Sequence, residues 1–238
     1  NTKIKRDKYQ KPFAIFTIDD GYKDNYKNAY PIFEKHNIPF VIYLATDLID
    51  NPKPFLWWYY LEEMITNNDF LELSTGELIE CNKYEDKLRV FNELRNRVIS
   101  FPCDLADSLF RNLFNKYPEE LSVDYSELML NWDEILEMSK NPLCTIGAHS
   151  KSHCRLSLLS YEAIYNEILS PKTIIEKKIG KQVNHFSYPY GSSIDINKIV
   201  EENVSKLGFK TSVISYGGEV RKYTRNYFAL PRIMLKNR

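Results

Sequence analysis

Five short apolar runs, rich in β-branched and aromatic residues and spaced by enough chain for a helix, constrain this sequence more than any other feature. They are PFAIFTI (Pro12 to Ile18), FVIYLA (Phe40 to Ala45), CTIGA (Cys144 to Ala148), VNHFSY (Val183 to Tyr188) and KTSVIS (Lys210 to Ser215). Runs of this length, bounded by turn residues, read as buried strands. A helix is expected after the first run, ending in EKHNIP, where Asn37 and Pro39 stop it. Pro31 either kinks that helix or sits in its first turn. Further helices are expected over Tyr161 to Ile179 and near Asp195 to Leu207. Strands that alternate with helices in this way imply parallel βαβ units, in an open sheet or a barrel.

Between Asp47 and Trp132 the pattern changes to Leu, Phe, Glu and Lys at helical spacing, clearest in EDKLRVFNELRNRVISF. The chain therefore reads as a single domain, residues 1–238, with a mostly helical insertion at about 47–132. Within it the aromatic run Phe55 to Tyr60 either packs the insertion's core or offers a platform for sugar rings. The lysines and glutamates from Glu80 to Arg97 read as a solvated helix face.

With 238 residues, 43% of them hydrophobic, the chain can bury a sizeable core. Basic and acidic residues balance at 32 each, so nothing points to nucleic acid or an anionic membrane as a partner. The longest apolar stretch, FLWWYYL, is far below the roughly 20 residues that span a bilayer, so no transmembrane segment is expected. NTKIKRDKYQKP is basic but has no apolar core, and so is no signal peptide as written; a segment ahead of it is left open, as is a location in the cell envelope or the cytoplasm. Cys81, Cys103, Cys144 and Cys154 form no CxxC pair, and a disulfide framework is not expected. Cys144 reads as a core residue; Cys154 either approaches a metal or packs.

Polar residues gather where the strands end. Asp19-Asp20-Gly21 follows the first run, His149 follows CTIGA, and Pro189-Tyr190-Gly191 follows VNHFSY. The carboxyl ends of parallel strands are where such folds assemble their sites. Two adjacent carboxylates either cap a turn or handle a cation and a proton. In a continuing strand they would point to opposite faces, but Gly21 frees the backbone so that one can bind a cation while the other stays available. His149 and His153, four apart in HSKSH, are either unrelated loop residues or two imidazoles converging on one metal. Two histidines and a carboxylate form a common set for a catalytic zinc.

TIDDG, HSKSH and FSYPYG, in that order, resemble the first three motifs of the polysaccharide deacetylase family, the NodB-homology or carbohydrate esterase 4 group. WDEILEM, KLGFKTSVIS and the terminal LPRI fit as well, so the resemblance runs from Phe13 to about Leu235 apart from the insertion. It implies a distorted (β/α) barrel with fewer than eight parallel strands. It implies Asp19 as general base, and Asp20, His149 and His153 as ligands of a divalent metal, most simply Zn2+. The backbone N–H of Tyr190 would form part of an oxyanion hole, and Tyr188, Pro189 and Gly191 would bind substrate. The implied reaction is metal-dependent removal of acetyl groups from N-acetylated sugars of a polysaccharide or glycolipid. Cleavage of another amide, or carbohydrate binding without catalysis, are the alternatives.

Two departures bear on that reading. Many members place an arginine two residues before the motif proline, where this chain has Ser187. Arg232 in LPRI either substitutes for it by reaching Asp19 or pairs with a surface acid. Many members also carry a late Leu-x-x-His that supplies the general acid, and no histidine follows His185 here. His185 reads as facing packing or a helix, and His36 as exposed.

Overall fold

The computed structural model describes residues 13–52, 54–117, 127–221 and 224–235. Pro12, the basic stretch before it and residues 118–126 of the expected insertion lie outside the described residues. Six strands form one sheet: β1 (Phe16–Ile18), β2 (Phe40–Leu44), β5 (Cys144–Ala148), β6 (His185–Ser187), β7 (Thr211–Gly217) and β8 (Leu230–Arg232). They lie side by side in that order and every pairing is parallel. The sheet curls into a half-barrel with helices around it, a distorted (β/α) barrel with fewer than eight strands. Its two edges, β1 and β8, are the first and last strands among the described residues.

Helices α6 (Trp132–Lys140), α7 (Tyr161–Ile179) and α8 (Lys198–Lys206) connect the strands. Their starts are set by side chains that accept otherwise unpaired backbone N–H groups. Asn131 and Glu134 form a reciprocal capping box on α6, Ser160 caps α7, and Asn197 caps α8. Gly180, at φ 68°, ends α7 in the left-handed turn that glycine adopts without a Cβ clash. Ahead of β2, a π-helical turn over Asn25–Ala29 runs into α1 (Tyr30–Lys35). Pro31 sits in the first turn of α1, where its missing N–H leaves no gap. Ile42, Leu44, Ile146, Ala148 and Phe186 are buried from the sheet against Ile164, Ile168 and Ile175 of α7.

Between β2 and β5 the chain builds a second core. A short helix, α2 (Thr46–Asp50), follows β2, and helices α3 (Trp57–Asn67), α4 (Tyr84–Ile99) and α5 (Cys103–Leu113) then bury Leu61, Val90, Leu94 and Phe110 together. A hairpin, β3 (Phe70–Glu72) with β4 (Leu78–Glu80), joins them, although helical spacing alone did not suggest a strand there. Gly76, at φ 85°, makes its turn. Of the aromatic run, Trp57 and Tyr60 are buried in this core. The face of α4 departs in one place from the solvated face expected: Lys87 Nζ reaches the carbonyls of Ile65, Thr66 and Asn68 at 2.5, 3.2 and 2.9 Å and closes the end of α3.

The cysteines depart from expectation. Cys103 and Cys154 form a disulfide, their Cα atoms 5.4 Å apart across 51 positions of sequence. The pairing is tertiary, so neither cysteine count nor spacing announces it. Cys144 is buried as expected, and burial pushes its thiol up to about 12.

Candidate metal centre and active site

Asp20 leaves the end of β1 at φ 74° and Gly21 follows at φ 91°, while the Gly21 N–H donates to Asp19 O at 3.0 Å. This turn breaks the two-residue alternation of the strand and separates the tasks of the two carboxylates. Asp20 Oδ1 lies 3.2 Å from His149 Nε2 and 3.2 Å from His153 Nε2. One ligand atom from each of the three residues falls within 4.8 Å of the others.

His149 follows β5 and is almost fully buried. Its backbone N–H donates to Leu44 O at 2.8 Å, and its ring Nδ1 lies 2.8 Å from Ser187 O. A proton on Nδ1 satisfies that carbonyl and leaves the Nε2 lone pair facing Asp20. The loop to His153 is gathered by Glu167 of α7. That carboxylate accepts the N–H groups of Lys151 and Ser152 at 3.1 and 3.0 Å and the Ser152 hydroxyl at 2.8 Å. Ser150, His153 and Tyr190 all have positive φ, at 63°, 57° and 61°. With Asp20 they account for all but Asn37 of the non-glycine residues so held among the described residues. Such conformations cost on the order of 1–3 kcal/mol each and persist where the surroundings over-determine them.

Asp20 Oδ1 and His153 Nδ1 are buried yet have no hydrogen-bond partner among the described residues. An acceptor-only oxygen facing two ring nitrogens fits a shared cation, and two imidazoles with one carboxylate are donors suited to zinc. Burial alone would raise the Asp20 carboxyl, but His153 and His149 outweigh it and hold the group well below the carboxylate range.

Asp19 points elsewhere. Arg232 crosses from β8 and grips it in two parallel contacts, Nη1 to Oδ1 at 2.9 Å and Nη2 to Oδ2 at 2.8 Å. The pair spans the open seam between the edge strands. Ser187 Oγ donates to Asp19 Oδ2 at 3.1 Å and accepts from Arg232 Nη2 at 3.2 Å. Arg232 is itself fixed by Ile214 O and Thr17 Oγ1, at 3.0 and 3.2 Å. Burial pushes Asp19 up, yet His149 and then Arg232 keep it below its ordinary value.

The YPYG stretch divides. The Tyr190 ring packs 5.0 Å from the His153 ring, with the Arg95 guanidinium of α4 5.5 Å from its centroid. Tyr188 departs from its expected place in the substrate site: it is 1% exposed, in the sheet core, and its hydroxyl donates to Phe228 O at 2.8 Å. Pro189 and Gly191 are buried in the turn, where a Cβ on Gly191 would stand 2.9 Å from Ser215 N. His185 bonds to Thr211 Oγ1 at 2.8 Å through Nδ1, and His36 is exposed at the end of α1.

Glu167, Arg95 and Trp58 were not singled out individually from sequence. Trp58 lies 5.8 Å from His153, ring to ring, and donates to Tyr22 Oη at 3.0 Å. Only its place in the aromatic run hinted at it. A cleft of about 850 Å³ opens beside His153 and Tyr190, between the inserted segment and α7.

The polysaccharide deacetylase family profile matches residues 6–212. Among solved structures, the deacetylase PplD of Streptococcus pyogenes, in complex with acetate, is similar over 91% of this chain and 62% of its own (TM-score 0.54, 17% identity). The deacetylase domain of BpsB from Bordetella bronchiseptica is similar over 92% of this chain and 69% of its own (TM-score 0.56, 14% identity). At these identities the likeness is one of fold. YxkH of Bacillus subtilis (strain 168), provisionally named a polysaccharide deacetylase, is 27% identical over 101 residues. That match spans 37% of this chain and 36% of YxkH.

Proposed function

The chain belongs to the polysaccharide deacetylase family, and on that premise we propose that it is a metal-dependent hydrolase that removes acetyl groups from N-acetylated sugars of a polysaccharide or glycolipid. The observation that carries this reading is the division of labour between adjacent carboxylates. Asp20 converges with His149 and His153, while Asp19 pairs with Arg232 and Ser187.

Asp20, His149 and His153 would hold a divalent cation, most simply zinc, which would supply Lewis acidity to the attacking water and the acetyl carbonyl. Asp19 is the base. Arg232 pairs with it and fixes its plane, so that a carboxylate oxygen is oriented to receive the proton of the attacking water. A base with a lowered pKa is weak, and it suffices where the water it serves is itself made acidic. The backbone N–H of Tyr190, carried on a strained turn, donates to the carbonyl oxygen as charge develops there. Water adds to the acetyl carbon, the C–N bond breaks, and the proton collected by Asp19 returns to the leaving nitrogen, giving acetate and a free amine. The fold family and the PplD complex with acetate agree with acetyl transfer to water. The Cys103–Cys154 disulfide favours an oxidising setting such as the cell envelope. No helix among the described residues is long and apolar enough to cross a membrane.

Acetate release from N-acetylglucosamine oligomers, with and without Asp19→Asn, tests the reading. The variant is expected to keep its metal and lose about 10²–10⁴-fold in turnover, the usual contribution of a general base. Turnover that survives Asp19→Asn contradicts the role given to Asp19, and its absence from the unaltered, zinc-loaded protein contradicts the activity itself.

A further inference from the structure

His149 and His153 are held in different ways. The His149 ring is keyed to the sheet, with Nδ1 2.8 Å from Ser187 O, and its backbone N–H donates to Leu44 O of β2. A histidine that ligates a metal is normally oriented by such a partner on its other ring nitrogen. His153 has none among the described residues: its Nδ1 is buried and unpaired, and it sits at φ 57° outside any helix or strand. Much of what surrounds it comes from the inserted segment. The Trp58 ring of α3 lies 5.8 Å away, and the Tyr190 ring, 5.0 Å away, faces Arg95 of α4. The next residue, Cys154, is bonded to Cys103 at the start of α5, and Arg155 Nη1 then donates to Ile99 O at the end of α4. Helix α5 is a firm base for that bond, since Ala106 and Phe110 are buried in the inserted core.

We infer that the Cys103–Cys154 disulfide is a positioning device for His153, and that its redox state sets how tightly Asp20, His149 and His153 hold their cation. The inference rests on the metal-dependent reading and adds to it a regulation of the same site. Consecutive Cα atoms stand about 3.8 Å apart, so pinning Cys154 to α5 fixes the backbone directly beside the ligand. A left-handed conformation costs a non-glycine residue on the order of 1–3 kcal/mol and relaxes unless its surroundings hold it. Glu167 holds the loop on the side of Lys151 and Ser152, and the disulfide holds the other side. Cutting the bond releases one flank of His153 and leaves His149 in place, because its partners are Leu44 and Ser187 of the sheet. Both cysteines border the open cleft, so a small reductant can reach the bond. Two electrons and two protons convert it to two thiols. A reduced chain therefore holds its metal loosely, and oxidation completes the site.

The test measures zinc affinity by competition with a chromogenic chelator, and the visible bands of the cobalt(II)-substituted protein, at a temperature where circular dichroism shows every form folded. The reductant is tris(2-carboxyethyl)phosphine, which takes oxygen from water to give its oxide while the disulfide becomes two thiols. The reduced protein is expected to bind zinc about 10–100-fold more weakly than the oxidised protein, the usual cost of losing outer support for a ligand. Its cobalt bands are expected to weaken and shift. Cys103→Ser with Cys154→Ser is expected to show the same loss and to ignore reductant. Leu94→Ala loosens the inserted core while keeping the bond, and is expected to retain the oxidised protein's affinity and spectrum. Equal affinity and equal spectra in oxidised and reduced protein overturn the inference and leave the metal reading standing. So does an equal loss in Leu94→Ala, which would make the effect one of general stability. Zinc bound by neither form removes the metal reading, and the inference with it.

Discussion

The curled sheet and the segment inserted between β2 and β5 are packed around different cores, and they contribute different things to one place. The sheet supplies the candidate reactive groups: Asp19, Asp20, His149, His153 and Arg232 all stand on or just beyond its strands. The inserted segment supplies walls, and its attachments to the sheet lie around the centre. Cys103 bonds to Cys154 beside His153, Trp58 donates to Tyr22 beyond the DDG turn, Arg155 donates to Ile99 O at 3.3 Å, and Arg95 lies over Tyr190. The lesson is that an element with its own core can define a substrate's surroundings while touching the catalytic frame at only a few points. On the proposed reading the chemistry belongs to the frame, and the insertion walls the cleft beside it.

The largest stability effect that would sharpen this contrast comes from the disulfide. Closing a loop across 51 positions is worth about 4 kcal/mol in the chain-entropy account. Cys103→Ser is therefore expected to lower the melting temperature as much as reduction does, with added reductant having no further effect. A melting curve indifferent to both would show that other contacts dock the segment. Somewhat smaller is the effect of Leu94→Ala, at a side chain 1% exposed in the inserted core, expected to cost about 3 kcal/mol. Hydrogen exchange should accelerate across α3 to α5 and stay slow in β2 and β5. Equal acceleration in both would mean that the two cores unfold as one unit.

The smallest effect belongs to the sheet. Burial, then Lys210, hold the His185 imidazole below its ordinary value of 6.5. Above 6.5 neither the folded nor the unfolded chain protonates it and its contribution is complete; as pH falls below 6.5 the unfolded chain takes the proton first and stability is lost. His185→Gln should flatten this loss below pH 6.5 in urea midpoints. An unchanged acid slope would place the titrating group elsewhere.

How much of this was visible in sequence follows the same division. Strand runs largely buried in the sheet stood out, and CTIGA coincides with β5. At the edge the run beginning at Pro12 overreached: Phe13 to Ile15 precede β1 and are exposed. Asp19, Asp20, His149 and His153 were conspicuous because chemistry at strand ends leaves local marks. Arg232 was a candidate for Asp19 only through its place in LPRI, since no local rule reports a contact across 213 positions. The inserted segment was harder. LELSTGELIE mixes helical and strand signals, and the hairpin wins because Leu71 and Leu73 bury against α3 and α4 rather than extending a helix. Its disulfide and its approach to Tyr190 are tertiary facts that composition does not encode.

The central claim is that the sheet's three converging side chains hold a metal that its neighbouring carboxylate serves. The most direct measurement is metal content by plasma mass spectrometry after dialysis against zinc, for the unaltered protein, Asp19→Asn and His149→Ala. The account predicts about one zinc per chain in the first two and its loss in the third, as expected of a site built from two imidazoles and a carboxylate. Zinc absent from all three, or retained undiminished by His149→Ala, would contradict it.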